Sequence, residues 1–351
     1  MLTYTPKNPS PQPSGNARPW LLLLLAFVWL WPGVFARDLW SPTEPEILTT
    51  IEQWQPYAWT IPRLFDQVAW QVAPLYYWLG ILSVHWLSPW LLDPYEAVRF
   101  VNALLMIIAF ACVGGAARQF LGRRFGRIGV LVLLGCPGML VPGHMMSSFP
   151  LLLCGCSLCW YGFSLSKSRV MMASLMLGGG WVVLSLSGSL LLPLAMMVLA
   201  LGLLYHPLWQ QRRYRLVVLT SLLWAWPLMA VWPLALYLSH PNVFVDWWQA
   251  HALAPFGGFA QWSMAFSLDY YLKNVLWFAF PAWPLAVWSA YKVRLFQYDW
   301  GVLAIAWLVL MLLLLSASPD QYQDWLLIIL PPLAIIGSHQ LEPCGAVLWR
   351  S

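Results

Sequence analysis

Charge is scarce in this chain. Of its 351 residues, 9% are Asp, Glu, Lys or Arg and 61% are hydrophobic, whereas soluble globular domains carry charge near 25%. Mean hydropathy is +0.67, and no segment between the apolar runs is long enough to make a soluble domain. A soluble enzyme or soluble binding module is thereby excluded. The apolar runs also lack ionisable residues almost entirely, which argues against a transport pathway through them. No two-fold internal repeat of the transporter kind is present either. A metal-ligand pattern is missing as well. Cys154, Cys156 and Cys159 lie within the apolar run Pro150–Phe163 with no His or carboxylate beside them. A structural zinc site wants four ligands, so these cysteines read as small buried hydrophobes.

What is present is a succession of apolar stretches, most of them close to the length that crosses a hydrocarbon core of about 30 Å. The pattern predicts an all-α integral membrane protein with about ten spans. They are drawn at Pro19–Ala36, Arg99–Ala117, Ile128–Pro142, Phe149–Ser166, Val170–Leu186, Gly188–Tyr205, Leu216–Leu238, Leu272–Tyr291, Gly301–Leu315 and Trp325–Ser338. The 26 Trp gather at many of the predicted span ends, where an amphipathic ring suits the headgroup layer. Residues 1–18 read as a disordered cytoplasmic tail before a retained first span, because Phe35-Ala36-Arg37-Asp38 makes a poor signal-peptide cleavage site. The membrane domain then runs over 19–342, and 343–351 forms a second cytoplasmic tail.

Basic residues fix the orientation. Arg118, Arg123, Arg124 and Arg127, then Lys167 and Arg169, then Arg212, Arg213 and Arg215, then Lys292 and Arg294 all fall on the side of the N-terminus. This is a positive-inside pattern, so the net charge of +5 reads as a topology signal and not as a nucleic-acid surface. Leu75–Leu92 is apolar enough to cross, but a crossing there would export the Arg123–Arg127 cluster. It is therefore placed at the outer face as an interfacial or re-entrant helix. Two outer loops result, 37–98 and 239–271. The first carries Asp38, Glu44, Glu46, Glu52, Asp66, Asp93 and Glu96, too long and too acidic for a connector.

The order of features in that loop is informative. Arg37-Asp38-Leu39-Trp40-Ser41-Pro42-Thr43-Glu44-Pro45-Glu46 follows the first span, Ala73-Pro74-Leu75-Tyr76-Tyr77-Trp78 comes next, and Glu96-Ala97-Val98-Arg99 opens the second span. Pro142-Gly143-His144 and, much later, Ser316-Ala317-Ser318 with Leu330-Pro331-Pro332-Leu333-Ala334 extend the series. The layout resembles the polyprenyl-phosphate-sugar-dependent glycosyltransferases of the C-type fold, among them the protein O-mannosyltransferases and the transferases of aminoarabinose to lipid A. It departs from them at Thr43, where the family has Asp, at Gln71-Val72 in place of Glu-Lys, at Ser148 or Phe149 in place of Asp, and at Ser187 in place of Lys.

The resemblance implies an enzyme that moves a sugar from a polyprenyl phosphate onto a lipid, glycan or protein acceptor at the periplasmic face of a bacterial inner membrane. A carboxylate would take the acceptor's proton and basic groups would hold the phosphate. Glu44 is the candidate base or acceptor-orienting group, with Asp38 and Glu46 able to replace it. Arg99 is the candidate phosphate ligand, because a guanidinium can grip phosphate with two donors. Arg37, Arg63 and Lys273 are weaker versions of the same idea, and Tyr76, His144 and His251 complete the expected substrate contacts. No cofactor is assigned, a divalent cation being the open candidate. Three rival readings stand beside the transferase. They are a non-catalytic homologue that binds a lipid-linked sugar or assists a partner, a transporter or flippase, and a structural membrane subunit.

Overall fold

In a bilayer the backbone must satisfy its own hydrogen bonds, and this chain does so almost wholly with helices. The computed structural model describes residues 19–339 except 36, 54–58, 66, 69–73, 89, 255–266 and 319–320. Both predicted tails, the Gln71-Val72 departure and the middle of the second outer loop lie outside the described residues. The helices are α1 (Pro19–Val34), α2 (Thr43–Glu52), α3 (Pro74–Leu87), α4 (Pro94–Leu121), α5 (Arg123–Leu134), α6 (Phe149–Leu165) and α7 (Val170–Ser185). They continue as α8 (Leu191–Leu203), α9 (Arg212–Ser239), α10 (Pro241–Ala250), α11 (Leu268–Phe278), α12 (Ala282–Lys292), α13 (Asp299–Ser316) and α14 (Leu330–Ser338). By length and composition, α4, α9 and α13 are long and apolar enough to cross a membrane, and the other apolar helices are shorter.

Two predicted spans are broken, each at a proline. Ile128–Pro142 is not one helix: α5 stops at Leu134, a 3-10 turn covers Pro137–Met139, and the backbone is irregular to Ser148. Leu272–Tyr291 is divided into α11 and α12 at Pro281. Proline lacks the donor that the next helical bond needs and pushes the preceding residue out of the helical region. The span drawn from Arg99 starts earlier, at Pro94, for an equally local reason. Asp93 and Glu96 form a capping box around Pro94, so α4 nucleates within what the sequence reading treated as loop.

The core is built by close helix contact. A side chain at Gly180 of α7 would come within 2.8 Å of the Gly155 carbonyl of α6 and 2.5 Å of Cys159, so these helices touch backbone to backbone. Cys112, Cys136, Cys154, Cys156 and Cys159 are free and buried, as small hydrophobes should be. Trp160, Trp181, Trp209 and Trp307 are fully buried rather than interfacial, and Trp307 donates from its indole to the Ile328 carbonyl at 2.9 Å.

The elements around the start of α4 frame the site. Helix α3 lies against the first turns of α4, with Tyr76 bonded to Asn102 and Ser83 to the Ala97 carbonyl. A two-residue antiparallel pair, β1 (Arg63–Leu64) with β2 (Gln67–Val68), lies in the first outer loop. Helix α10 returns along the end of α9, where Trp232 meets Trp247 edge to face at 4.9 Å. Trp232 also donates to the Thr60 carbonyl at 3.0 Å, and Ile61 clusters with Trp247 and Ala252, so the two predicted outer loops meet at Thr60–Ile61.

The orientation of the bundle is testable at the α4–α5 turn. A cysteine at the exposed Arg124 should react with an impermeant maleimide in inverted vesicles and stay unlabelled in right-side-out ones. Labelling from outside would reverse the topology.

Candidate functional site

The site begins where α1 ends. Beyond it the chain runs extended through Arg37–Trp40 and turns into α2, whose first turn carries Glu44 and Glu46. Acidic residues suit a helix N-terminus, where unpaired N–H groups leave partial positive charge. Glu44 nevertheless does not face water. It is fully buried, and both of its oxygens accept multiple hydrogen bonds.

Five hydrogen bonds converge on that carboxylate. Arg37 donates from Nη2 to Oε1 at 2.6 Å and from Nη1 to Oε2 at 3.1 Å, a two-pronged grip. Arg99 donates from Nη2 to Oε2 at 2.8 Å. The Trp40 amide donates to Oε2 and the Met146 amide to Oε1, each at 2.9 Å. Burial alone would raise the pKa of this carboxyl. The bonds from Arg37, the Trp40 amide, Arg99 and the Met146 amide outweigh it and hold Glu44 below its ordinary range, as expected when charged and backbone donors favour the ionised form.

The arginines are equally committed. Arg99 is fully buried and also donates to the carbonyls of Arg37 at 2.8 Å and Asp38 at 2.9 Å. Arg37 reaches the His144 carbonyl at 2.9 Å and lies over the Trp40 ring at 4.1 Å, a cation–π contact. Arg99 therefore does not stand free at the mouth of a span, as the sequence reading expected. It sits one turn inside α4 with its charge matched by Glu44. The gap bordering it, between Leu30, Val34, Asn102 and His144, leaves no room even for a water molecule, whereas ligand pockets run to roughly 300–1,000 Å³.

Asn102 was not singled out from sequence and belongs to the same assembly. It lies almost one turn beyond Arg99, accepts from the Tyr76 hydroxyl at 2.8 Å and donates to the Met145 carbonyl at 2.8 Å. The signal was available: a lone amide in an apolar membrane helix demands a partner. With Arg37 on His144, Asn102 on Met145 and Glu44 on Met146, three side chains satisfy the irregular backbone between α5 and α6. Such backbone survives at membrane depth only when its polar groups are paired.

The remaining candidates divide clearly. Tyr76 is buried within the cluster, not turned to a substrate. His144 is there too, but its ring nitrogens face the Leu140 carbonyl at 2.6 Å and the Trp29 carbonyl at 2.9 Å, with no nitrogen left for a sugar or phosphate. A Cβ on Gly33 would overlap its ring, so Gly33 is what lets His144 pack against α1. Asp38 is exposed and Glu46 half-buried at the rim. Three candidates are elsewhere. Arg63 is exposed on β1, His251 caps α10, and Lys273 pairs with Asp269 at 3.3 Å on the exposed face of α11. Glu44 and Arg99 do meet, in a buried ion pair and not in an open cavity. The described part of the second loop meets the first at Thr60–Ile61 instead of at this cluster. Among the described residues no three His, Cys, Asp or Glu side chains gather to hold a metal ion.

No protein-family model matches the sequence, and no curated protein does. The fold has relatives among solved structures. ArnT from Cupriavidus metallidurans matches over 92% of this chain at TM-score 0.71 and 18% identity in the form bound to undecaprenyl phosphate. Its apo form matches over 94% at TM-score 0.74 and 19% identity. The oligosaccharyltransferase AglB from Archaeoglobus fulgidus, with an inhibitory peptide and a dolichol-phosphate, matches over 91% at TM-score 0.55 and 12% identity. This chain has the C-type glycosyltransferase fold, with low sequence identity to both. It spans 60% of the length of ArnT and 49% of that of AglB.

Removing one partner of a buried ion pair strands the other charge. Glu44→Gln should therefore lower unfolding stability by about 3–5 kcal/mol, read as a fall in the thermal midpoint in detergent. A stability equal to wild type would mean that the clamp carries no weight. Because the folded-state pKa of Glu44 is depressed, its contribution is fully present above the ordinary carboxyl value of 4.5 and fades as pH falls through the lower folded value. Thermal midpoints measured between pH 8 and pH 5 should show no loss from this group, and a loss should follow in more acidic buffer.

Proposed function

We propose that this chain is a membrane glycosyltransferase that takes a polyprenyl-phosphate-linked sugar at its outer face, with Asp38 as the proton acceptor. The observation that carries the reading is the charge balance of the clamp. Two guanidiniums enclose one carboxylate, and the surplus positive charge has its outward side at Arg37, whose side chain is 16% exposed while those of Glu44 and Arg99 are closed off. A surplus positive charge at a rim attracts an anionic phosphate. Asp38 is the exposed carboxylate next to it, and its backbone carbonyl is held by both Arg99 and Arg37. Its side chain is thus anchored by a rigid backbone and free at the tip. The ArnT match, a chain bound to undecaprenyl phosphate with the same fold over nearly all of this one, supports a lipid phosphate as the donor's carrier.

The chemistry this permits is a displacement. The acceptor oxygen attacks the anomeric carbon, Asp38 takes the hydroxyl proton, and the polyprenyl phosphate leaves with the electrons of the broken C–O bond. Glu44, with no free lone pair, is a positioning residue that fixes the Arg37–Trp40 strand. In reconstituted protein, Asp38→Asn should lower sugar transfer from a polyprenyl-phosphate donor by about 10²–10⁴-fold while donor binding persists. Transfer by Asp38→Asn at the wild-type rate would rule out this base.

A second reading has its own support. Glu44 and Arg99 are both consumed inside the fold, and Ser187 stands where the resembled family keeps a lysine. These features favour a non-catalytic homologue that holds a lipid-linked sugar for a partner enzyme. Under it, wild-type protein would retain the donor and release no polyprenyl phosphate.

A further inference from the structure

The opposite end of α4 carries a second basic assembly, and it is built differently. Arg118 lies nineteen residues beyond Arg99 on one continuous helix, roughly 28 Å away at 1.5 Å per residue. That places it near the other interface of a hydrocarbon core about 30 Å thick. There a cavity of about 700 Å³ opens between α1, α4 and α5. One end is rimmed by Arg118, Arg123 and Arg127, and the shaft is lined by Leu22, Phe110 and Val130 with small residues between them.

Glycines make this geometry. Gly122, at φ 111, turns α4 back into α5. A Cβ on Gly126 would come within 2.7 Å of the Gly114 carbonyl and 3.0 Å of Arg118 Cβ, so the two helices touch and Arg118 is carried onto the face of α5. Arg123 opens α5, whose first turn contains no acid. Cations at a helix N-terminus oppose its dipole, and an anion there would relieve both the dipole and the crowded guanidiniums. Among the described residues none of the three arginines forms an ion pair. This contrasts with Arg37 and Arg99, each of which pairs with Glu44.

From this we infer that the α1–α4–α5 cavity binds an anionic glycerophospholipid of the inner leaflet, its phosphate among Arg118, Arg123 and Arg127 and an acyl chain along Leu22, Phe110 and Val130. A charged head over an apolar shaft is the shape of such a molecule, and basic pockets between membrane helices on this side recognise such headgroups. The inference is independent of the outer-face reading. It concerns the other end of the bundle and holds whether or not the protein is an enzyme.

Native mass spectrometry of the full chain in detergent, with phosphatidylglycerol or phosphatidylcholine added, tests it. Wild type should retain phosphatidylglycerol selectively. The variant Arg118→Gln/Arg123→Gln/Arg127→Gln should lose that retention by roughly 100-fold, taking each arginine as worth about a factor of five. Ala111→Trp, which fills the exposed wall of the cavity and leaves every charge in place, should lose it too. Arg124→Gln/Arg169→Gln/Arg212→Gln removes three basic residues outside the cavity lining and should retain the lipid. Equal losses in the two triple variants, or full retention in Ala111→Trp, would reduce the effect to general surface charge and overturn the site. Displacement of bound phosphatidylglycerol by equimolar undecaprenyl phosphate would overturn the phospholipid as occupant.

Discussion

The end of the bundle at which α4 begins depends on a carboxylate held between two guanidiniums away from water. Glu44 joins four pieces of chain that share no secondary structure: the extended run after α1, the first turn of α2, the second turn of α4, and the irregular backbone before α6. In an environment this apolar, an ion costs heavily unless it is paired and every lone pair is used. Here both conditions are met for the carboxylate, which fixes the geometry of everything around it. Among the described residues the Nε groups of Arg37 and Arg99 are buried without a partner. A bond made around a carboxylate can tolerate that, whereas an unpaired carboxylate could not be buried at all.

That constraint decides which groups are left for chemistry. A base needs a free lone pair and access to the proton it removes, and Glu44 has neither. A phosphate ligand needs donors facing the phosphate, and those of Arg99 face carbonyls and Glu44. The proposed function therefore rests on the rim, where Asp38 is exposed and Arg37 keeps its outward side. Thr43, where the resembled family has Asp, fits this arrangement, because a second carboxylate beside the clamp would have to share the donors already given to Glu44.

The helical character of the fold was legible in the sequence, since apolar length is a strong, additive signal. The breaks at Pro137 and Pro281 were legible too, but hydropathy averaging smoothed over them. The site was legible as a set of residues and misread as a set of roles. Glu44, Arg37, Arg99, Tyr76 and His144 do come together, yet a sequence carries charge without burial, and burial is what turns a base into a keystone. Arg63, His251 and Lys273 were named because they are polar on the outer side, a property that says nothing of distance. Asn102 lies in a run that reads as span, where its polarity is the informative fact.

The central claim is that Glu44 and Arg99 act as one structural unit. A double-mutant cycle with Glu44→Gln, Arg99→Met and the pair, followed by unfolding in a denaturing-detergent titration, measures it directly. Residues within one buried network couple by about 0.5–3 kcal/mol, and this account predicts a value at the upper end, with the double variant more stable than the sum of the singles. Additive losses, with coupling below about 0.5 kcal/mol, would contradict it.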